Sequence, residues 1–240
     1  KRQLREADVV IYAGSLVNPE LLKGCRTDCA VYDSAYMTLE EVLEVIRDAE
    51  RRGEMTVRLH TGDPSIYGAI REQMDALDRM GIAYDVCPGV SSFCGAAAAL
   101  NLEYTLPEVS QSVIITRMEG RTKVPEKESI QSFAAHQATM VLFLSTGLLE
   151  ELSGELIVGG YKEDTPAAIV YKASWPEEAV YRCTVGTLAA TAREKGVART
   201  ALIVVGRVLD TGKDSGYERS KFYAQEFDTM FRNGPGKEGK

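Results

Sequence analysis

Two α/β domains, the second more mixed than the first, are what this 240-residue sequence predicts. Short β-branched runs alternate with amphipathic stretches through the first half, the signature of βαβ winding. The rhythm then changes, and two strand-like runs follow one another with no helix between them, which calls for an antiparallel pair. With 45% hydrophobic and 26% charged residues, the composition supplies a core for one or two domains rather than a disordered chain. The architecture expected is two domains facing one another across a ligand-binding cleft.

The run DVVIYA from Asp8 to Ala13 reads as a buried parallel strand, ended by Gly-Ser. Thr38 with Glu41 three residues later forms a capping box before LEEVLEVIRDAERR, whose Leu39, Val42, Leu43, Ile46 and Ala49 share one helical face. MTVRL is the next strand, HTGDPSIYG a loop, and residues 69–80 a helix stopped by Gly81. YDVC is expected to be a further strand running into PGVSS, followed by the Ala-rich helix FCGAAAAL. A boundary near Pro107 to Gln111 gives domains 1–108 and 109–210 and a polar, fraying tail 211–240. The second domain carries strands SVIITR, TMVLFLS, PAAIVYKAS, AVYRCTV and ALIVVGRVL, with helices around 126–135, 147–158 and 185–195.

The formal charge of −7 argues against a chain-wide attraction to nucleic acid or to an anionic membrane. No apolar run approaches the roughly 20 residues a spanning helix needs, and no signal peptide is legible, so the protein reads as cytoplasmic. Five cysteines without CxxC pairing suggest neither a disulfide framework nor zinc, and the two histidines lie in no metal-ligand spacing, so no metal is expected. A nucleophile elbow, a P-loop and an intact GxGxxG are all missing from the sequence, which removes the usual support for hydrolase, NTPase and classical dehydrogenase readings.

Two loops are placed to carry chemistry. His60-Thr61-Gly62-Asp63-Pro64-Ser65-Ile66-Tyr67-Gly68 follows a strand and precedes a helix, where α/β proteins bind ligands, although Gly-Asp-Pro is also an ordinary tight turn. Pro88-Gly89-Val90-Ser91-Ser92 repeats that placement, and its serines suit either a helix cap or a polar ligand. Neighbouring parallel strands would set the two loops side by side. Arg117, Arg121 and Lys123 cluster after one strand and Lys172 ends another, reading either as a grip on carboxylates or as solvated charge. Trp175 with Pro176 suits an apolar ring or a core edge equally.

Taken in order, ADVVIYAGSLVNPELL, HTGDPSIYGAIREQM, CPGVSSFCGAAAAL, EVSQSVIITRMEGRTKVPE, VLFLS and VYKASWPEE resemble the tetrapyrrole methylases across nearly the whole chain. The RMEGRTKVPE and VYKASWPEE segments resemble the branch that methylates C11 of precorrin-4 or cobalt-precorrin-4 in corrin synthesis. The resemblance implies S-adenosyl-L-methionine as methyl donor, S-adenosyl-L-homocysteine as product, a tetrapyrrole substrate and a homodimer. It implies cofactor contacts at Thr61, Gly62, Asp63, Ile66, Ser91, Ser92, Leu144, Ser145, Ala173, Ala201 and Leu202. It implies substrate contacts at Arg117, Arg121, Lys123 and Lys172, with Tyr67 and Glu119 as candidates for proton handling and no assigned general base. Family members usually open with a strand and a Gly-rich GAGPGD-type loop, which nothing here matches, so that part of the fold is expected to be missing from this chain. Ala13 stands where the uroporphyrinogen branch carries an acid, which argues against that branch. The alternatives are methylation at C17 or C20, an RNA-modifying relative, and a non-catalytic cofactor-binding protein.

Overall fold

A computed structural model describes residues 1–210, 217, 220–225 and 227–232. The expected fraying of residues 211–240 falls largely outside the described residues. The chain divides into two compact units at Cys94/Gly95.

The first unit opens with helix α1 (Arg2–Glu6), strand β1 (Val9–Tyr12), strand β2 (Ala30–Asp33), helix α2 (Leu39–Arg51), strand β3 (Thr56–Leu59) and helix α3 (Arg71–Met80). Its sheet runs β2-β1-β3, all parallel. The β-branched run of β1 takes the centre, with Val9, Val10 and Ile11 buried. Its odd face meets Val42, Ile46 and Ala49 of α2, and Val10 meets Leu4 and Ala7. The expected capping box starts α2: Thr38 N–H donates to Glu41 Oε2 at 2.7 Å, and Glu41 N–H donates to Thr38 Oγ1 at 3.2 Å. Neither α1 nor β2 is legible in the sequence, since α1 has five residues and β2 is a largely exposed edge of four.

YDVC is not a strand. Residues 83–91 carry no helix or strand, and a cavity of about 650 Å³ is lined both by 83–87 and by β3. A strand needs a partner for its N–H and C=O groups, and β propensity alone does not supply one. The βαβ unit expected from β3 onward therefore stops at its helix.

Helix α4 (Ser92–Leu100) spans the division between the units. The second unit continues with strand β4 (Val113–Arg117), helix α5 (Ile130–Ala134), strand β5 (Thr139–Phe143), helix α6 (Leu149–Val158), strands β6 (Pro166–Tyr171) and β7 (Ala179–Thr184), helix α7 (Leu188–Glu194) and strand β8 (Ala201–Val205). The sheet order is β4-β5-β8-β6-β7, parallel at β4–β5 and antiparallel elsewhere, so the mixed character and the β6–β7 pair match expectation. Met140, Leu142, Ile169, Ile203 and Val205 form one core with Leu152 and Leu156 of α6 and Leu188 of α7. Burying each such side chain contributes about 1.5–3 kcal/mol. Among the described residues no helix is long and apolar enough to cross a membrane.

Candidate active site

The first unit joins its two loops through Asp63. Its carboxylate accepts from Ser65 N–H at 2.9 Å and from the Ser65 hydroxyl, and reaches across to Gly89 N–H at 2.8 Å. These donors hold the carboxyl below its ordinary range, the Ser65 hydroxyl first and the Gly89 and Ser65 amides after it. Gly62 and Gly89 make the approach possible. A Cβ at Gly89 would lie 2.0 Å from the Gly62 carbonyl, and one at Gly62, whose φ is +65°, would lie 3.2 Å from Ser92 N. The loops expected side by side are indeed in contact, but the carboxylate and close backbone packing join them, not neighbouring strands. Thr61 donates its hydroxyl to the Leu16 carbonyl, and Ile66 N–H donates to the Asp63 carbonyl at 3.2 Å. Thr61, Gly62, Asp63, Ile66, Ser91 and Ser92 thus lie in one cluster, with Tyr67 half-exposed at φ +56° in the same loop.

Arg58, in the strand that leads into this loop, is spent on structure. Its guanidinium donates to Ile11 O at 2.9 Å, Ser34 Oγ at 2.9 Å and Gln73 Oε1 at 3.2 Å. His60 lines the same cavity as Tyr84 and Cys87, and its buried Nε2 is without a hydrogen-bond partner among the described residues. Burial, and secondarily the Arg58 charge, push the imidazole down to about 4, so it is neutral at pH 7.

In the second unit, strand direction gathers the other candidates on one sheet edge. β4, β5 and β6 end where β8 begins, as the pairs Leu142–Ile203 and Tyr171–Ala201 show. Arg117, Leu144 and Ser145, Lys172 and Ala173, and Ala201 and Leu202 therefore share that edge. Ser145 ties strand ends together: its hydroxyl donates to Phe143 O at 2.7 Å and accepts from Met118 N–H at 2.9 Å. Leu144, 63% exposed, has φ +51°, a conformation disfavoured for a leucine. Thr146 donates its hydroxyl to Ala201 O at 3.2 Å.

The basic residues divide in role. Arg117 points its guanidinium at the carbonyls of Met118 (3.0 Å), Thr122 (3.2 Å) and Lys123 (2.9 Å), folding the 118–124 loop on itself. Glu119 Oε2 accepts from Val124 N–H at 3.3 Å in that loop, while Arg121 and Lys123 have exposed side chains. Lys172, at φ +46°, holds its ammonium 5.0 Å from the Trp175 ring centroid, 5.5 Å from that of Tyr171 and 3.5 Å from Glu177 Oε1. Trp175 faces this ammonium.

Against known proteins, residues 1–189 match the family of Tetrapyrrole (Corrin/Porphyrin) Methylases. The chain belongs to the tetrapyrrole methylases. It is 50% identical over 232 residues to the cobalt-precorrin-4 C(11)-methyltransferase of Methanocaldococcus jannaschii, covering 97% of this chain and 88% of that one. Against the precorrin-4 C(11)-methyltransferase of Pseudomonas aeruginosa the identity is 41% over 234 residues, covering 98% and 92%. The X-ray structure of a cobalamin biosynthetic enzyme, cobalt precorrin-4 methyltransferase, superposes with a TM-score of 0.85 at 45% identity, covering 87% of each chain.

Sequence reasoning missed three features of this tetrapyrrole methylase's loops: the Gly89 close approach, the Arg58 network and the unpartnered His60 nitrogen. The signal for the first was present, since Asp63 and Gly89 both lie in the motif loops. The Arg58 contacts join residues 47, 24 and 15 positions apart, and no local pattern announces them.

Proposed function

We propose that this tetrapyrrole methylase transfers a methyl group from S-adenosyl-L-methionine to C11 of precorrin-4 or cobalt-precorrin-4, releasing S-adenosyl-L-homocysteine. The observation that carries the reading is the 50% identity, across 97% of the chain, to a protein named for that reaction. The cofactor contacts are assigned to Thr61, Gly62, Asp63, Ile66, Ser91 and Ser92 in the first unit and to Leu144, Ser145, Ala173, Ala201 and Leu202 in the second. In the first unit the close-packed glycine backbone at Gly62 and Gly89 and the buried Ser91 suit a polar nucleoside ligand, and in the second Leu144 presents an exposed turn.

When bound, S-adenosyl-L-methionine supplies a methyl group that its sulfonium has already activated. The residues assigned above would hold that donor so that its methyl lay open to in-line approach by a ring carbon of the tetrapyrrole. The chain's own work is positioning and exclusion of water, so no strong base is required for the transfer itself. Arg121, Lys123 and Lys172 are the cations assigned to the substrate's carboxylates. Arg117 shapes the loop that carries Arg121 and Lys123. Tyr67 and Glu119 remain the proton-handling candidates.

We read the protein as a cytoplasmic homodimer; its five unpaired cysteines suit a reducing compartment. Light scattering is expected to give twice the 26.3 kDa chain mass, and the monomer mass would end the dimer proposal. The cofactor assignment is tested by calorimetric titration of S-adenosyl-L-homocysteine into the 240-residue chain. Binding is expected, weakened about tenfold or more (about 1.4 kcal/mol) by Ser92→Ala and unchanged by Arg121→Ala. Absent binding, or loss with Arg121→Ala alone, would contradict the assignment.

A further inference from the structure

We propose that Cys25 and Cys29 form an oxidisable dithiol, which closes to an intramolecular disulfide when the folded protein meets a small-molecule disulfide. The chain places the two thiols together within Cys25-Arg26-Thr27-Asp28-Cys29. Cys25 N–H donates to Leu22 O at 3.1 Å, ending one turn, and Cys29 N–H donates to Arg26 O at 3.2 Å, closing the next. That reversal aims both side chains at one small cluster formed by Leu4, Ala7 and Val10. The Cys29 thiol donates to the Ala30 carbonyl at 3.7 Å, and Cys25 lies near enough to influence its ionisation.

The turn is pinned from outside. Arg26 donates to both Asp28 carboxylate oxygens at 2.9 and 3.1 Å, and to Asp8 Oδ1 at 2.9 Å. Ring closure then joins two side chains already packed against one cluster. Both thiols are half-buried and free, so a small reagent can reach them. Burial first, and the neighbouring Cys25 second, raise the Cys29 thiol, so at neutral pH it is held chiefly as the unreactive thiol. The other three cysteines offer internal controls: Cys87 and Cys94 are exposed, and Cys183 is pushed up to about 11 by burial.

The chemistry balances as thiol–disulfide exchange. One thiolate of the pair attacks a sulfur of glutathione disulfide; its S–S bond breaks and releases one glutathione thiolate. The second cysteine sulfur then attacks the mixed disulfide, forming the Cys25–Cys29 bond and releasing the second glutathione. Two protein thiols lose two electrons, the external disulfide gains them, and the two protons end on the glutathione thiols. The product ring secures the chain just ahead of the exposed edge strand β2.

The test is to incubate the native 240-residue chain with glutathione disulfide, block the remaining thiols, and digest with trypsin. Cleavage after Lys23, Arg26 and Arg47 separates residues 24–26 from 27–47, so the disulfide holds two peptides together until a reductant parts them. The expected result is that linked pair, formed by the folded protein and abolished by Cys25→Ser, with free thiols counted in denaturant falling from five to three. Recovery of both peptides separately, alkylated or carrying glutathione, would overturn the proposal. So would linkage that forms only in denaturant, or cross-links between chains in place of the internal one.

Discussion

Asp63 and Gly89 show how much of the first unit's loop cluster rests on single atoms. Gly89→Ala would drive a Cβ into the Gly62 carbonyl, 2.0 Å away, and both sides of that contact are backbone. A loss of about 1–3 kcal/mol in urea unfolding is expected, with weaker cofactor binding in whatever remains folded. His60 gives a pH signature of its own. Its folded value of about 4 lies below the ordinary 6.5, so between those values the unfolded chain binds the proton that the folded chain refuses. Stability therefore falls as pH drops from 6.5 toward 4, and His60→Leu is expected to flatten that slope in urea titrations at stepped pH. Asp63 adds loss in the same direction only at lower pH, because its donors keep the carboxylate ionised until the pH falls through its depressed pKa. The GDP turn was legible because its chemistry is local, whereas the burial of His60 depends on residues far along the chain.

At the scale of elements, the loop after β4 and the turn after β5 carry separable roles. Arg117→Lys keeps a charge but loses the fork that serves three carbonyls. It is expected to cost about 1–2 kcal/mol of stability and to raise KM for the tetrapyrrole while leaving S-adenosyl-L-homocysteine affinity unchanged. Leu144→Gly relieves a left-handed turn, so urea stability should move by less than about 1 kcal/mol. With Leu144 as a cofactor contact, kcat/KM in steady-state assays is expected to fall about tenfold, equivalent to about 1.4 kcal/mol. Helix α2 was legible from its capping box and periodicity, and β5, β6 and β8 from their apolar runs. YDVC has equal β character, yet it faces a cavity where a ladder partner would have to be, and pattern alone carries no information about a partner. β2 was missed for the opposite reason: its pairing with β1 forms a strand from a short exposed run.

The whole molecule places its candidate residues by sheet direction. Runs such as VLFLS and VYKAS announce strands, but only the β4-β5-β8-β6 order sets their ends on one edge with the start of β8. Strand order is a non-local property, so the expectation that Ser145, Lys172 and Ala201 act together came from resemblance rather than from periodicity. Fold class and family were legible from motifs spread along nearly the full chain, and the 50% identity to a C(11)-methyltransferase carries the proposed regiochemistry. The most direct test supplies methyl-labelled S-adenosyl-L-methionine with precorrin-4, and in parallel with cobalt-precorrin-4, and locates the label in the product by NMR. Label at C11 from either substrate is the result expected. Label at another ring carbon, or no transfer to either tetrapyrrole, would contradict the account.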